Sequence, residues 1–139
     1  MNPMVPDAQV IDFLSRPLVS RLAVNTPEGY PHVTPVWYLY DQGRFYLSTE
    51  TDRHKFRLLQ RDPRATLLID EADQGRMIMV HGEVTVWTGD PEPLVRRITA
   101  RYIPVYELDD TVRWLLSGPR VVLELAPHTL IRFGSGWQT

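Results

Sequence analysis

Two periods divide this chain. Apolar residues tend to recur at every second position in "LVSRLAVNT" (18–26), "RFYLSTE" (44–50), "RATLLIDE" (64–71) and "MIMVHGEVTVWTG" (77–89). Such alternation predicts strands with one face turned to a core. In "DAQVIDFLS" (7–15), "DRHKFRLLQRDP" (52–63), "DPEPLVRRITARYI" (90–103) and "ELDDTVRWLLSG" (107–118) the spacing changes to three and four, which predicts helices. Asp7 is placed to cap the first helix, with Val10, Ile11 and Leu14 on its apolar face, and Pro17 ends it. Asp52 or Thr51 is placed to cap the second, with Phe56, Leu58 and Leu59 inward, and Gly118 is placed to close the last. "PHVTPVWYLY" (31–40) is β-branched and aromatic and reads as a strand, although Pro35 removes one ladder donor. "DQGR" (41–44) reads as a hairpin turn, Gly82 as a bulge or bend in a long strand, and "RVVLELAP" (120–127) and "TLIRFGSGW" (129–137) as the last two strands.

Six or seven short strands joined by hairpins, with helices between them, predict a mainly β fold: an antiparallel β-barrel with peripheral helices, formed as one domain over residues 1–139. Composition narrows the chemistry. There is no cysteine, so disulfides and thiolate metal sites are excluded. The formal net charge of −2 argues against a nucleic-acid-binding barrel, which needs a basic groove. No apolar run approaches the ~18 residues of a membrane span, so a soluble cytoplasmic protein is expected. His32, His54, His81 and His128 are too scattered to propose a metal site, and no nucleophile motif is present. The arginines of "RRITARY" (96–102) read as a solvated helix face, and Tyr102, Tyr106 and Trp114 as helix-packing aromatics that can also wall a pocket.

One short stretch stands out. Lys55 is the only lysine against fourteen arginines, and it follows Arg53 and His54 at the start of a helix. Cations oppose the positive end of the helix dipole, so an acidic neighbour or an anionic ligand is expected there. Ser48 and Thr49, at the end of the preceding strand, add hydroxyl donors, Arg53 offers a bidentate fork and Lys55 a compact charge. The hairpin brings Pro35, Val36 and Trp37 towards Ser48 and Thr49, where a flat ring system can lie.

The run "GYPHVTPVWYLYDQGRFYLSTETDRHKFRLLQRDPRATLLID" (29–70) resembles the pyridoxamine 5′-phosphate oxidase-like family of split barrels. It carries the G-x-P-H-V-x-P-V-W strand, a hairpin to an apolar strand ending in Ser/Thr, a Lys-led helix and then R-D-P-R. The resemblance continues more weakly through "MIMVHGEVTVW" (77–87). It implies a six-stranded antiparallel split barrel that forms a homodimer, with cofactor sites at the dimer interface. It implies FMN, or alternatively the deazaflavin coenzyme F-420, with the phosphate at Arg53, His54 and Lys55. The ring would lie along Thr34, Pro35, Val36 and Trp37, with Ser48 and Thr49 near the phosphate or ribityl chain. Trp87, Arg132 and Trp137 are candidates for contacts from the opposite protomer. The implied activity is hydride transfer to or from a small conjugated substrate; a cofactor-binding carrier or sensor without turnover is the alternative.

The resemblance has departures. Arg53-His54-Lys55 stands where the family commonly has Ser/Gly-Arg/Gln-Lys, and Leu58 where many members have Asn. The long C-terminal substrate section of true pyridoxamine phosphate oxidases is absent, so vitamin B6 oxidation is not assigned. The wording of 55–70 resembles the small actinobacterial-type branch, many of whose members use F-420.

Overall fold

Alternation is obeyed where the sequence shows it most plainly. In the computed structural model, which describes residues 7–138, Phe45, Leu47 and Thr49 are buried while their neighbours Arg44, Tyr46, Ser48 and Glu50 are not. The elements in chain order are α1 (Ala8–Leu14), β1 (Val19–Val24), β2 (His32–Val36), β3 (Tyr38–Asp41), β4 (Arg44–Glu50), α2 (His54–Arg61) and β5 (Arg64–Glu71). A 3₁₀ turn (Ala72–Gln74) leads into β6 (Arg76–Val86), followed by α3 (Glu92–Ala100), α4 (Val105–Leu116) and β7 (Arg120–Phe133).

The strands form one antiparallel sheet in the order β2-β1-β5-β6-β7-β4-β3. Its two edge strands, β2 and β3, are consecutive in the chain and separated by Trp37 alone. In a flat sheet of this order they would lie roughly 29 Å apart at ~4.8 Å per strand, whereas two Cα–Cα steps span at most ~7.6 Å. The sheet must therefore curl until its edges meet. This is the mainly β, split-barrel architecture with peripheral helices that the sequence leads one to expect.

The strand count is reached differently. The expected strand over 31–40 is broken at Trp37 into β2, which pairs with β1, and β3, which pairs with β4. Taken as one extended run, they restore the six strands of the split barrel. The two strands expected at the end are one, β7, which continues through Pro127 and His128. Proline cannot donate to the ladder, and here it sits opposite Gly82, where the β6–β7 register shifts. A Cβ on Gly82 would run into the carbonyl of Ala126, so the expected bulge forms where only glycine lets the strands approach this closely. The β3–β4 hairpin turns through Gln42 and Gly43, both at positive φ, as expected for a two-residue loop.

The barrel interior is filled by Tyr38, Phe45, Leu47, Leu67, Ile69, Ile78 and Val80, with Phe13 and Leu14 of α1. A smaller cluster of Val95, Ile98, Val112 and Val122 packs α3 and α4 on the outside. Asp7 caps α1 as expected, accepting from the Val10 N–H at 3.0 Å. The apolar face of α1 is Val10, Phe13 and Leu14, and Ile11 is 50% exposed, about 100° round the helix from Val10. Neither Thr51 nor Asp52 caps α2; Arg53 occupies that position with no side-chain cap. Ser117, not Gly118, is the C-cap of α4.

Candidate functional site

The break at Trp37 builds the site. With β2 and β3 diverging, their ends need other partners. The buried Ser20 hydroxyl donates to the Val36 carbonyl. The Tyr102 hydroxyl, arriving from the end of α3, accepts from the Tyr38 N–H at 3.3 Å and donates to the Leu18 carbonyl at 3.1 Å. Its ring lies almost parallel to Trp37, with centroids 4.9 Å apart and planes 4° apart. These groups edge an apolar hollow of about 460 Å³, walled further by Leu18, Val19, Val36 and Leu115.

A second hollow of about 470 Å³ is polar and is lined by His32, Thr34, Thr49, Glu50, Arg53, His54 and Lys55. Pro35, Ser48 and Arg120 line both, so the two form one groove with a flat apolar half and a cationic half. Nine residues expected from sequence meet here: Thr34, Pro35, Ser48, Thr49, Arg53, His54 and Lys55 in the polar half, and Val36 and Trp37 in the apolar half. Trp87 lies outside, edge-on to Tyr46 at 6.1 Å. Trp137 also lies outside, against Phe13 at 5.2 Å, with the Arg76 and Arg132 guanidinium groups over its ring and its Nε1–H donating to the Phe133 carbonyl at 2.8 Å.

The polar half is short of negative charge. Arg53 reaches Glu50 at 3.2 Å and Arg120 reaches the same carboxylate oxygen at 3.5 Å. Lys55 has no ion pair among the described residues. Burial lowers its pKa below the ordinary 10.5, and the charges of Arg53 and Arg120 lower it further. No acidic residue lies in the first turn of α2 to offset the dipole. The hydroxyl oxygen of Thr34 is buried without a hydrogen-bond partner. A lysine without an ion pair beside two arginines that share one carboxylate, open helix N–H groups and an orphaned hydroxyl suit a phosphate group, and the stacked Trp37–Tyr102 wall suits a planar ring. The residues present therefore fit a phosphorylated flavin-type cofactor.

Arg120 was not marked by the sequence, where it merely opens an apolar strand. Its side chain is 12% exposed, and its Nη1 donates to the Ser48 hydroxyl at 3.4 Å. Tyr102, one of three aromatics able to wall a pocket, does so, whereas Tyr106 and Trp114 are 83% and 71% exposed and neither line the groove nor pack on the barrel. The arginines of "RRITARY" lie outside the groove, Arg96 and Arg97 on a solvated helix face as expected. Arg96 pairs with Asp109 and Arg97 with Asp41, while Arg101 donates to the carbonyls of Leu14, Ser15 and Arg16 at the end of α1. His81 bonds to Thr66 and His128 to Thr129. His32 instead enters the polar hollow, edge-on to His54 at 5.1 Å. Among the described residues no group of three or more His, Asp or Glu is placed to hold a metal, and no helix is long and apolar enough to cross a membrane.

Comparison with known proteins agrees with this fold. An F420 reductase superposes with a TM-score of 0.73 at 25% identity, covering 91% of this chain and 98% of its own. A conserved hypothetical protein of Mycobacterium tuberculosis gives 0.76 at 23%, with 95% and 86% covered. A FAD-binding protein of Mesorhizobium loti gives 0.66 at 21%, with 94% and 96% covered. The latter two likenesses speak for the fold. No curated protein matches the chain. The sequence profile of pyridoxamine 5′-phosphate oxidase matches residues 6–132, nearly the whole length, and with the curled antiparallel sheet it establishes that this chain belongs to the pyridoxamine 5′-phosphate oxidase-like split-barrel family.

Proposed function

We propose that this protein is a flavin- or deazaflavin-dependent oxidoreductase that binds FMN or coenzyme F-420 and acts on a small conjugated substrate. The observation that carries the reading is the two-part groove: an apolar hollow beside a cationic one in which three cations face a single carboxylate, that of Glu50. The cofactor, when bound, supplies the hydride chemistry. The chain's own residues bind and orient it. Lys55 and Arg53 hold the phosphate, with His54 and the hydroxyls of Ser48, Thr49 and Thr34 beside them. Pro35, Val36 and Trp37 support the ring, and Leu18, Val36 and Leu115 keep water from it.

The working unit we propose is a cytoplasmic homodimer. The outward sheet face supports it, carrying the rows Arg21–Leu68–Met79–Ile131 and Val19–Asp70–Met77–Phe133 across β1, β5, β6 and β7. Val19 and Phe133 there are 55% and 41% exposed, and one carboxylate oxygen of Asp70 is buried with no partner. Trp87 and Trp137, which lie off the groove of their own chain, are the residues we assign to the groove of the second protomer.

Separate fluorescence titrations with FMN and with F-420 test the cofactor. We expect saturable binding of one of them; binding of neither overturns the reading. A pH series adds a second check. Phosphate beside Lys55 raises its pKa above the lowered value of the free protein, so the bound state holds the proton more tightly. Affinity is therefore expected to be level below the free-state value. It should fall as pH rises from that value to the bound-state one. Lys55→Met should remove this alkaline fall. An unchanged pH profile in that variant would show that Lys55 does not face the phosphate.

A further inference from the structure

Two of the three cations of the groove share one carboxylate. Glu50 Oε1 lies 3.2 Å from Arg53 and 3.5 Å from Arg120, and its side chain is only 20% exposed. Room for it is kept by Gly118, where a Cβ would come within 2.8 Å of Glu50 Oε2. Arg120 is poorly satisfied by the protein. Beyond Glu50, it donates to the Ser48 hydroxyl and to the Leu115 carbonyl, both at 3.4 Å, at the long limit of a hydrogen bond. Burial and the nearby Arg53 lower its pKa, while Glu50 acts in the opposite sense. A guanidinium held this loosely at the junction of the two hollows has donors left for a ligand.

We propose that Arg120 is a phosphate-binding residue of this groove, and that Glu50 is its resident counter-ion in the free protein, against which an incoming phosphate competes. The inference rests on the cofactor reading above. Charge balance supports it. Arg53, Lys55 and Arg120 bring three positive charges into the polar hollow and Glu50 one negative, leaving an excess that a phosphate monoester of about −1.5 to −2 at pH 7 neutralises. Glu50 keeps the guanidinium groups of Arg53 and Arg120 from repelling one another while the groove is free of ligand, and it sets a limit on how tightly the groove holds phosphate.

The two residues should then act in opposite directions. The test is calorimetric titration, in phosphate-free buffer, with whichever of FMN and F-420 the wild-type chain binds better, and with the corresponding dephosphorylated ring-and-ribityl compound. Arg120→Met is expected to weaken binding of the phosphorylated form about 10- to 100-fold. Arg120→Lys should fall between it and wild type, and neither should change binding of the dephosphorylated form by more than about twofold. Glu50→Gln, which shortens no side chain, is expected to tighten the phosphorylated form about two- to tenfold while lowering the melting temperature of the free protein. A merely structural Glu50 would lower both stability and affinity. Glu50→Gln that binds more weakly or equally overturns the competition, and Arg120 variants that bind like wild type overturn the role of Arg120, with the cofactor reading left standing in each case. If the wild-type chain binds neither compound, the cofactor reading fails and the inference with it. Should Arg120→Met not fold, Arg120→Lys and Glu50→Gln still decide the matter.

Discussion

Replacing Arg53 and Lys55 together by alanine is expected to weaken cofactor binding by roughly 10²- to 10⁴-fold, while the free protein melts at or above the wild-type temperature. The first half follows from hydrogen bonds to charged groups, worth about 1.5–3 kcal/mol each, two of which are lost. The second half follows from what these side chains lack in the free protein. Lys55 has no ion pair among the described residues, and its charged form is disfavoured by burial and by Arg53 and Arg120. Arg53 reaches Glu50 from a side chain that is 64% exposed, a contact of the kind that contributes little to stability. Removing both also takes two positive charges from beside Arg120. A site that costs stability until its ligand arrives is a mark of function. Titration with FMN and F-420 beside a thermal melt checks both halves. Affinity within about twofold of wild type would end the assignment of this turn to the phosphate.

Lys55 was legible because it is chemically exceptional in the chain and stands at a local feature, the start of a helix. Thr34 to Trp37 were legible because they belong to one contiguous run. Arg120 was not. It reaches the groove only through the β4–β7 ladder, which sets Glu50 opposite Arg120 and Ser48 opposite Val122. That register joins segments remote in sequence, and nothing near Arg120 announces it. The same is true of Tyr102, whose helix gives an apolar period but not the hydroxyl's two backbone partners on β3 and at Leu18.

The strands were legible wherever one face is buried and the other is not, as in β4 and β5. The break at Trp37 was illegible because the residues on both sides of it favour a strand, and the one ladder-breaking residue of the run, Pro35, lies inside β2 opposite Arg21 and not at the break. It is imposed by partners: β1 takes one side, β4 the other, and the hydroxyls of Ser20 and Tyr102 take the backbone groups left at the junction. Pro127 and His128 read as a break for the opposite reason. Local chemistry there says turn, and the bulge at Gly82 on the facing strand lets the pairing continue.

The junction also predicts where the fold is least tolerant. Tyr38→Ala is expected to destabilise the protein by about 3–5 kcal/mol, lowering the melting temperature by about 10–20 °C for a chain of this size. Tyr38 is fully buried, packs on Phe45 and lies under the Arg101 guanidinium, 4.8 Å from its carbon. Its hydroxyl donates to the carbonyls of Leu14 and Arg16, closing the end of α1 onto the barrel. Tyr38→Phe separates the two contributions. Arg101 donates to the same two carbonyls, so they keep a partner, and the loss is expected to be about 1 kcal/mol. The alanine variant should harm the groove as well. Slackening at Arg16 passes directly to Pro17 and Leu18, which line the apolar hollow, and Leu18 is the residue whose carbonyl holds Tyr102 against Trp37. Cofactor affinity should therefore fall in Tyr38→Ala even below its melting range and stay near wild type in Tyr38→Phe. An alanine variant that melted within a few degrees of wild type would show that α1 is held to the barrel by Phe13 and Leu14 alone, and that the hydroxyl and ring of Tyr38 add little to closing the site.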